Sequence, residues 1–174
     1  SVAAAAVSLT VGISILDIKK GLLNFKGVQR RFNKIFTFNK VDFYDDYAHH
    51  PTEIKVVLEG VNKVYSGYQK VCIFQPHRVS RLKDLKKEFS FAFKDADVVV
   101  LCPIYAAGER IKLGFNYLNF AKDIIKNSKV NLFLVNDNNQ LAKFVKKNIY
   151  GKKIVIGMGA GSISSWMRKL PNLM

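Results

Sequence analysis

The chain has 174 residues, 49% of them hydrophobic, with 28 Lys and Arg against 13 Asp and Glu, for a net charge of +15 at pH 7. At roughly 100–200 residues per domain, this length supplies one buried core plus a short appendage. The composition excludes a disordered tail, a collagen-like repeat and a disulfide scaffold.

Only two cysteines occur, Cys72 and Cys102, each inside an apolar strand-like run, which reads as a pair of buried reduced thiols. No apolar run approaches the roughly 18 residues needed to span a bilayer. The opening Ser1-Val2-Ala3-Ala4 lacks a basic leader region and is not read as a signal peptide. A soluble, cytoplasmic protein is expected. The positive charge is carried mostly by scattered lysines such as Lys86-Lys87 and Lys146-Lys147, which suit solvated helix faces and strand starts. Aromatics do not alternate with basic residues in the manner that stacks single-stranded bases, so neither a nucleic-acid nor a membrane partner is expected. The few arginines are more informative, because four fall in two close pairs: Arg30 with Arg31, and Arg78 with Arg81.

Taken in order, residues 2–11 read as an Ala/Val helix stopped by Gly12, and residues 15–25 as a second, broken by Gly27. Phe32, Ile35, Phe36 and Phe38 indicate a strand ending at the turn-like pair Asn39-Lys40. Val41–Tyr44 is a strand, and Pro51 opens a helix running to about Tyr65, since its missing N–H costs nothing in a first turn. Val71–Phe74 is a buried strand, and Ser80 is placed to cap a helix over 81–94. A strand at Val98–Cys102 precedes a helix over 116–128 with Leu118, Ala121, Ile124 and Ile125 facing inward. A strand at Val130–Val135, a helix at Asp137–Asn148, a strand at Ile154–Ile156 and a helix at Ile163–Leu170 follow.

Short apolar strands alternating with amphipathic helices mean β-α-β crossovers and a parallel sheet covered on both faces. The expectation is an α/β, Rossmann-like doubly wound domain over residues 28–174. It has a mostly parallel sheet of about six strands, the Phe-rich one an antiparallel edge. Residues 1–27 read as two helices of an adjoining domain.

In such sheets ligands bind beyond the carboxyl ends of the strands, where the unusual residues of this chain collect. The first strand runs into Asp45-Asp46-Tyr47-Ala48-His49-His50-Pro51, the second into Gln75-Pro76-His77-Arg78-Val79-Ser80-Arg81, and the third into Pro103-Ile104-Tyr105-Ala106-Ala107-Gly108-Glu109. Arg78 and Arg81, about one helical turn apart, are suited to grip a carboxylate. His49 and His77 could orient or deprotonate an ammonium group. Asp46 could accept from a ribose or help hold a cation. This set suits an amino acid and a nucleotide better than a metal, because the histidines lack zinc-site spacing and no CxxC partner exists. Arg30 and Arg31 read either as a phosphate-reaching pair near a hinge or as a surface pair. The Gly157-Met158-Gly159-Ala160-Gly161-Ser162 segment is G-x-G-x-G rather than G-x-G-x-x-G and comes last, so it does not make a dinucleotide fingerprint. No G-x-x-x-x-G-K-[ST] loop is present.

The run Asp45-Asp46-Tyr47-Ala48-His49-His50-Pro51-Thr52-Glu53 closely resembles the C-terminal domain of the bacterial Mur ligases, in the branch that adds alanine. Phe25–Phe32, Phe74–Arg81, Tyr105–Glu109 and Gly159–Gly161 match in order, so the resemblance spans essentially the whole chain. It implies an ATP-dependent amide ligase of peptidoglycan precursor synthesis. ATP phosphorylates the carboxylate of UDP-N-acetylmuramate, the L-alanine amine attacks the acyl phosphate, and phosphate leaves with magnesium assisting. The resemblance implies Arg31, Asp46 and His49 as catalytic residues, with Arg31, Asp46 and Tyr47 on the ATP side. His49, His77, Arg78 and Arg81 are implied as the pocket for the incoming alanine. The P-loop and the Mg2+-holding groups are implied to lie mainly in a central domain outside this chain, whose last helices residues 1–27 resemble. The N-terminal and central domains are then the chain's partners, and closure about Gly27 completes the site, Gly27 otherwise being a helix C-cap. Ser162 departs from the Asp or Asn usual in the family.

Three competitors stand beside this reading: the related ligase that recycles a murein tripeptide, a non-catalytic basic nucleic-acid module, and a dinucleotide oxidoreductase. The first tends to carry Phe where this chain has Tyr47 and to lack the Pro76-His77-Arg78 run.

Overall fold

The computed structural model describes residues 2–25, 27–109 and 115–174. Helices α1 (Val2–Thr10) and α2 (Ile15–Asn24) bury none of their residues, so their apolar side chains have no core of their own. Ser14 caps α2, accepting the Asp17 N–H, and the helix ends at Phe25. Phe25 is the cap of α2, so Gly27, two residues farther on with φ +85°, is not the C-cap residue of that helix.

The sheet begins with β1 (Asn33–Phe38), antiparallel to β2 (Val41–Asp46) across Asn39-Lys40. Both turn residues have positive φ, +49° and +63°, which matches the strand twist as a two-residue hairpin requires. The remaining strands, β3 (Gln69–Phe74), β4 (Val98–Leu101), β5 (Asn131–Leu134) and β6 (Lys153–Met158), pair in parallel. The six strands lie in the order β1-β2-β6-β3-β4-β5, the α/β sheet with one antiparallel edge that the sequence pattern implies. The last strand lies between β2 and β3. The strand ends carrying the histidines are therefore not direct neighbours, and the Gly-rich segment after β6 falls between them.

Alternate residues of each central strand feed two cores. Cys72 and Phe74 join Ile54 and Leu58 of α3 (Pro51–Val64) and Phe120 and Ile124 of α6 (Tyr117–Ser128). Val71 and Ile73 join Leu141 and Val145 of α7 (Asn138–Asn148) and Met167 of α8 (Ile163–Lys169). This two-sided burial is why the strands read as continuous apolar runs. Cys72 and Cys102 are free and buried, and burial pushes both thiols up, Cys102 to about 12.

Two expectations are corrected here. Residues 81–94 are not one helix capped by Ser80: α4 (Val79–Asp84) and α5 (Lys86–Phe91) are separate, Arg78 stands at the N-cap, and Ser80 binds Glu109 instead. In α6 the inward face is Phe120, Ala121 and Ile124, whereas Leu118 and Ile125 are exposed. Leu118 sits two residues before Phe120 and Ile125 one residue after Ile124, both off the buried stripe.

Candidate functional site

Strand β2 runs two residues past its expected end, so Asp45 and Asp46 are its last residues and point to opposite faces of the sheet. Asp45 is fully buried, and its Oδ2 accepts from Ser164 and Arg168 of α8. Asp46 accepts backbone N–H groups on both oxygens, from Ala48 at 2.7 Å and Phe32 at 2.8 Å. Burial raises its carboxyl above the usual range, and these two N–H groups with the Arg31 charge offset only part of that shift. Asp46 thus pins the turn that follows it. Each oxygen already holds one donor, which leaves only spare lone pairs for a ribose or cation.

The next turn presents Tyr47 and His49. Tyr47 is 37% exposed, and its ring lies 5.1 Å from that of His49. His49 Nδ1 is 2.9 Å from the Tyr47 carbonyl, which only accepts, so Nδ1 carries the proton and Nε2 is the basic nitrogen of the neutral ring. Glu53 reaches back to the N–H groups of His49 and His50, closing a capping box at the start of α3. Burial acts to raise the Glu53 carboxyl, but those N–H groups and the His49 and Arg31 charges outweigh it and hold the carboxyl low.

From β3, His77 brings its ring 5.8 Å from His49 and stacks on Tyr105 at 5.6 Å and 17°. Arg81 NH1 lies 3.3 Å from His77 Nδ1; because arginine only donates, Nδ1 accepts and the N–H sits on Nε2. Burial, then the charges of Arg81, His49 and Arg78, push the His77 pKa below its ordinary value. The pair therefore offers a basic nitrogen on His49 and an N–H donor on His77. Arg78 is exposed at φ +68°, with its own N–H given to the Tyr105 carbonyl at 2.9 Å. Ser80 donates its N–H and hydroxyl to Glu109, which lowers that carboxyl and ties α4 to the loop after β4.

Between these segments lies the Gly-rich turn. A Cβ on Gly159 would meet the Gln75 carbonyl at 2.7 Å, and one on Gly161 would meet Tyr105 Cγ at 2.5 Å. Gln75 is buried and holds the turn, accepting from the Ile163 N–H and donating to Ser162. These glycines serve close packing; they do not form an open phosphate cradle. Ser162, the departure from the family pattern, is a partner of Gln75.

Seven sequence-marked residues are thus placed. His49, His77 and Arg81 are brought together, with Arg78 at their edge. Asp46 and Tyr47 precede His49 where β2 ends, and Arg31 is exposed nearby, its charge felt by Asp46 and Glu53. Gln75, Tyr105, Glu53 and Arg30 carry structural roles at the site that the sequence reading did not assign. Four of the seven non-glycine residues with positive φ among the described residues, Arg30, Phe32, Arg78 and Ala107, lie around this cluster. An apolar groove of about 310 Å³ along Phe32, Val57, Val61 and Tyr65 lacks the charged groups that chemistry needs. Among the described residues no three His, Cys, Asp or Glu are grouped to hold a metal ion, and no helix is long and apolar enough to cross a membrane.

The family model for the Mur ligase glutamate ligase domain matches residues 30–161. The chain is 70% identical over 173 residues to the UDP-N-acetylmuramate–L-alanine ligase of Pelagibacter ubique, covering 99% of this chain and 37% of that protein. It is 39% identical to the enzyme of the same name from Bartonella bacilliformis, covering 97% of this chain and 35% of that one. The chain thus spans well under half the length of these relatives. The crystal structure of the UDP-N-acetylmuramate–alanine ligase of Thermotoga maritima superposes with a TM-score of 0.72 at 27% identity, over 96% of this chain and 35% of that one. A murein peptide ligase from Psychrobacter arcticus shares the fold, with a TM-score of 0.71 at 19% identity over 97% of this chain and 34% of that one. Matched across its strand-end site by the family model, the chain belongs to the Mur ligase family through its glutamate ligase domain.

Proposed function

We propose that residues 28–174 are the C-terminal, amino-acid-binding domain of a cytoplasmic UDP-N-acetylmuramate–L-alanine ligase, with residues 1–27 belonging to its adjoining domain. The observation that carries this is the pairing of two histidines with two arginines at the ends of β2 and β3, a set that suits a small amino acid. The 70% identity to an alanine ligase supports the substrate over the tripeptide of the recycling enzyme.

The residues divide the work as follows. Arg81 and Arg78 hold the alanine carboxylate by charge-assisted hydrogen bonds. Arg81 is oriented by His77 Nδ1, which cannot compete as a donor. The His49 Nε2 lone pair faces the ammonium and accepts its proton, leaving the amine nucleophilic. ATP, when bound, supplies the phosphoryl group that activates the carboxylate of the sugar substrate. The exposed Arg31 cation and the partly open Tyr47 ring are the groups here that would meet it. Asp46 already accepts one backbone N–H on each oxygen, and among the described residues no three His, Cys, Asp or Glu are grouped around it. Mg2+ would therefore be held mainly by groups outside these residues, with Asp46 offering at most its spare lone pairs.

The depressed His77 pKa has a consequence for pH dependence. Neutral His77 accepts from Arg81; the protonated ring cannot and adds a third positive charge to the group. The KM for L-alanine is therefore flat above the ordinary histidine value of about 6.5 and climbs as pH falls through the depressed value. Stability follows the same sign: the unfolded chain takes the proton first, so this group's contribution is present above about 6.5 and lost on acidification. His77→Gln should remove the acid limb from a pH profile of the alanine KM. An acid limb that survives in that variant belongs to another group.

The reading is tested in the full-length protein that carries this chain, by phosphate release from ATP. Release that requires both UDP-N-acetylmuramate and L-alanine supports it; release driven by the murein tripeptide and not by L-alanine refutes it.

A further inference from the structure

Arg30 ties together three segments that are distant in sequence. Its NH2 donates to the Gly159 carbonyl at 2.6 Å, its guanidinium lies 4.6 Å from the centre of the Tyr47 ring, and its own carbonyl accepts the Tyr47 N–H at 2.8 Å. The chain just beyond is fixed again, with the Arg31 N–H on Asn33 Oδ1 at 3.0 Å and the Phe32 N–H on Asp46 Oδ2 at 2.8 Å. Arg30 and Phe32 are both left-handed, at φ +59° and +50°, a conformation that such residues keep only where surroundings over-determine it. Arg31 stands between these two fixed points with no hydrogen bond on its side chain among the described residues.

We propose that Arg30 is a positioning residue: its guanidinium latches the entry segment 30–32 to the Tyr47 turn and the Gly159 turn, and so presents Arg31 beside Asp46 and Glu53. The pairing with Tyr47 also occupies one face of that ring, leaving a ligand only the other. The bearing of the latch on nucleotide use rests on the function proposed above; the latch itself does not.

Two variants test it. Arg30→Gly deletes the guanidinium while keeping the left-handed backbone at no steric cost. Arg30→Lys keeps a charge and a donor but loses the planar stack. Amide hydrogen exchange on the 174-residue chain should show the Phe32 and Tyr47 amides opening roughly tenfold faster in Arg30→Gly, with Arg30→Lys intermediate and the Val99 and Val100 amides unchanged. Wild-type protection at Phe32 and Tyr47 in Arg30→Gly would overturn the latch. In the full-length protein, Arg30→Gly should raise the KM for ATP by about tenfold and leave that for L-alanine within about twofold, a split that a general loss of stability does not produce. Faster exchange at these amides with an unchanged ATP KM would support the latch and overturn the nucleotide-side assignment of Arg31.

Discussion

Replacing Arg81 with Ala in the full-length protein is expected to raise the KM for L-alanine by about 10- to 100-fold while leaving the KM for ATP within about twofold. A charge-assisted hydrogen bond to a carboxylate is worth roughly 1.5–3 kcal/mol, and the loss falls on the one ligand that carries that carboxylate. The substitution also frees His77 Nδ1, which then titrates without the Arg81 charge beside it, so the acid limb of the alanine profile moves to higher pH. Arg78 needs a different variant. At φ +68°, alanine there would add backbone strain to the loss of charge, whereas Arg78→Gly removes the guanidinium alone. An ATP KM that climbs while the alanine KM stays in place would show that the pocket has been assigned to the wrong ligand.

Gly159→Ala should be the most damaging single methyl at the strand ends. Its Cβ would lie 2.7 Å from the Gln75 carbonyl, a backbone atom that cannot swing away, and φ is +147°, where only glycine rests easily. Overpacking and backbone strain together cost about 3 kcal/mol, or about 6–12 °C in Tm for a domain of this size. Gly161→Ala provides the comparison. Its Cβ would lie 2.5 Å from Tyr105 Cγ and 2.6 Å from Tyr105 Cβ, and because rotation of the ring does not move Tyr105 Cβ, the Tyr105 segment itself must shift. Gly161 does not have a positive φ, so that variant carries the overpacking without the backbone strain. It should lose less Tm than Gly159→Ala and disturb the stacking of Tyr105 on His77. Calorimetry separates the two: an equal or larger drop in Tm for Gly161→Ala would mean that the positive φ at Gly159 adds no cost.

The fold was legible because its strands are buried on both faces. Val71–Phe74 and Val98–Cys102 read as continuous apolar runs, and the helices between them have clear apolar stripes. Strand order was less accessible. Nothing local in Ile154–Ile156 says that it inserts between β2 and β3, since that choice is made by packing across the sheet. The Gly-rich turn was accordingly read by motif alone, and its work of packing against Gln75 and Tyr105 went unseen. Within the site, His49, His77 and Arg81 were legible from residue type and strand-end position. Arg30 was not, because adjacent arginines look alike in sequence. Only the left-handed backbone at Arg30 and Phe32 turns one guanidinium inward and leaves the other exposed. The 81–94 helix failed at Leu85, where a break gives two short helices that no Gly or Pro announces.

In the proposed function Arg78 and Arg81 meet the amino acid while Arg31 meets the nucleotide. Residue-resolved footprinting with an arginine-selective dicarbonyl reagent measures this directly on the full-length protein, with ligands added one at a time. The expected result is protection of Arg78 and Arg81 by L-alanine in the presence of the sugar substrate, and of Arg31 by a nucleotide analogue. Arg78 and Arg81 reacting equally with and without L-alanine, or shielded by nucleotide instead, would contradict it.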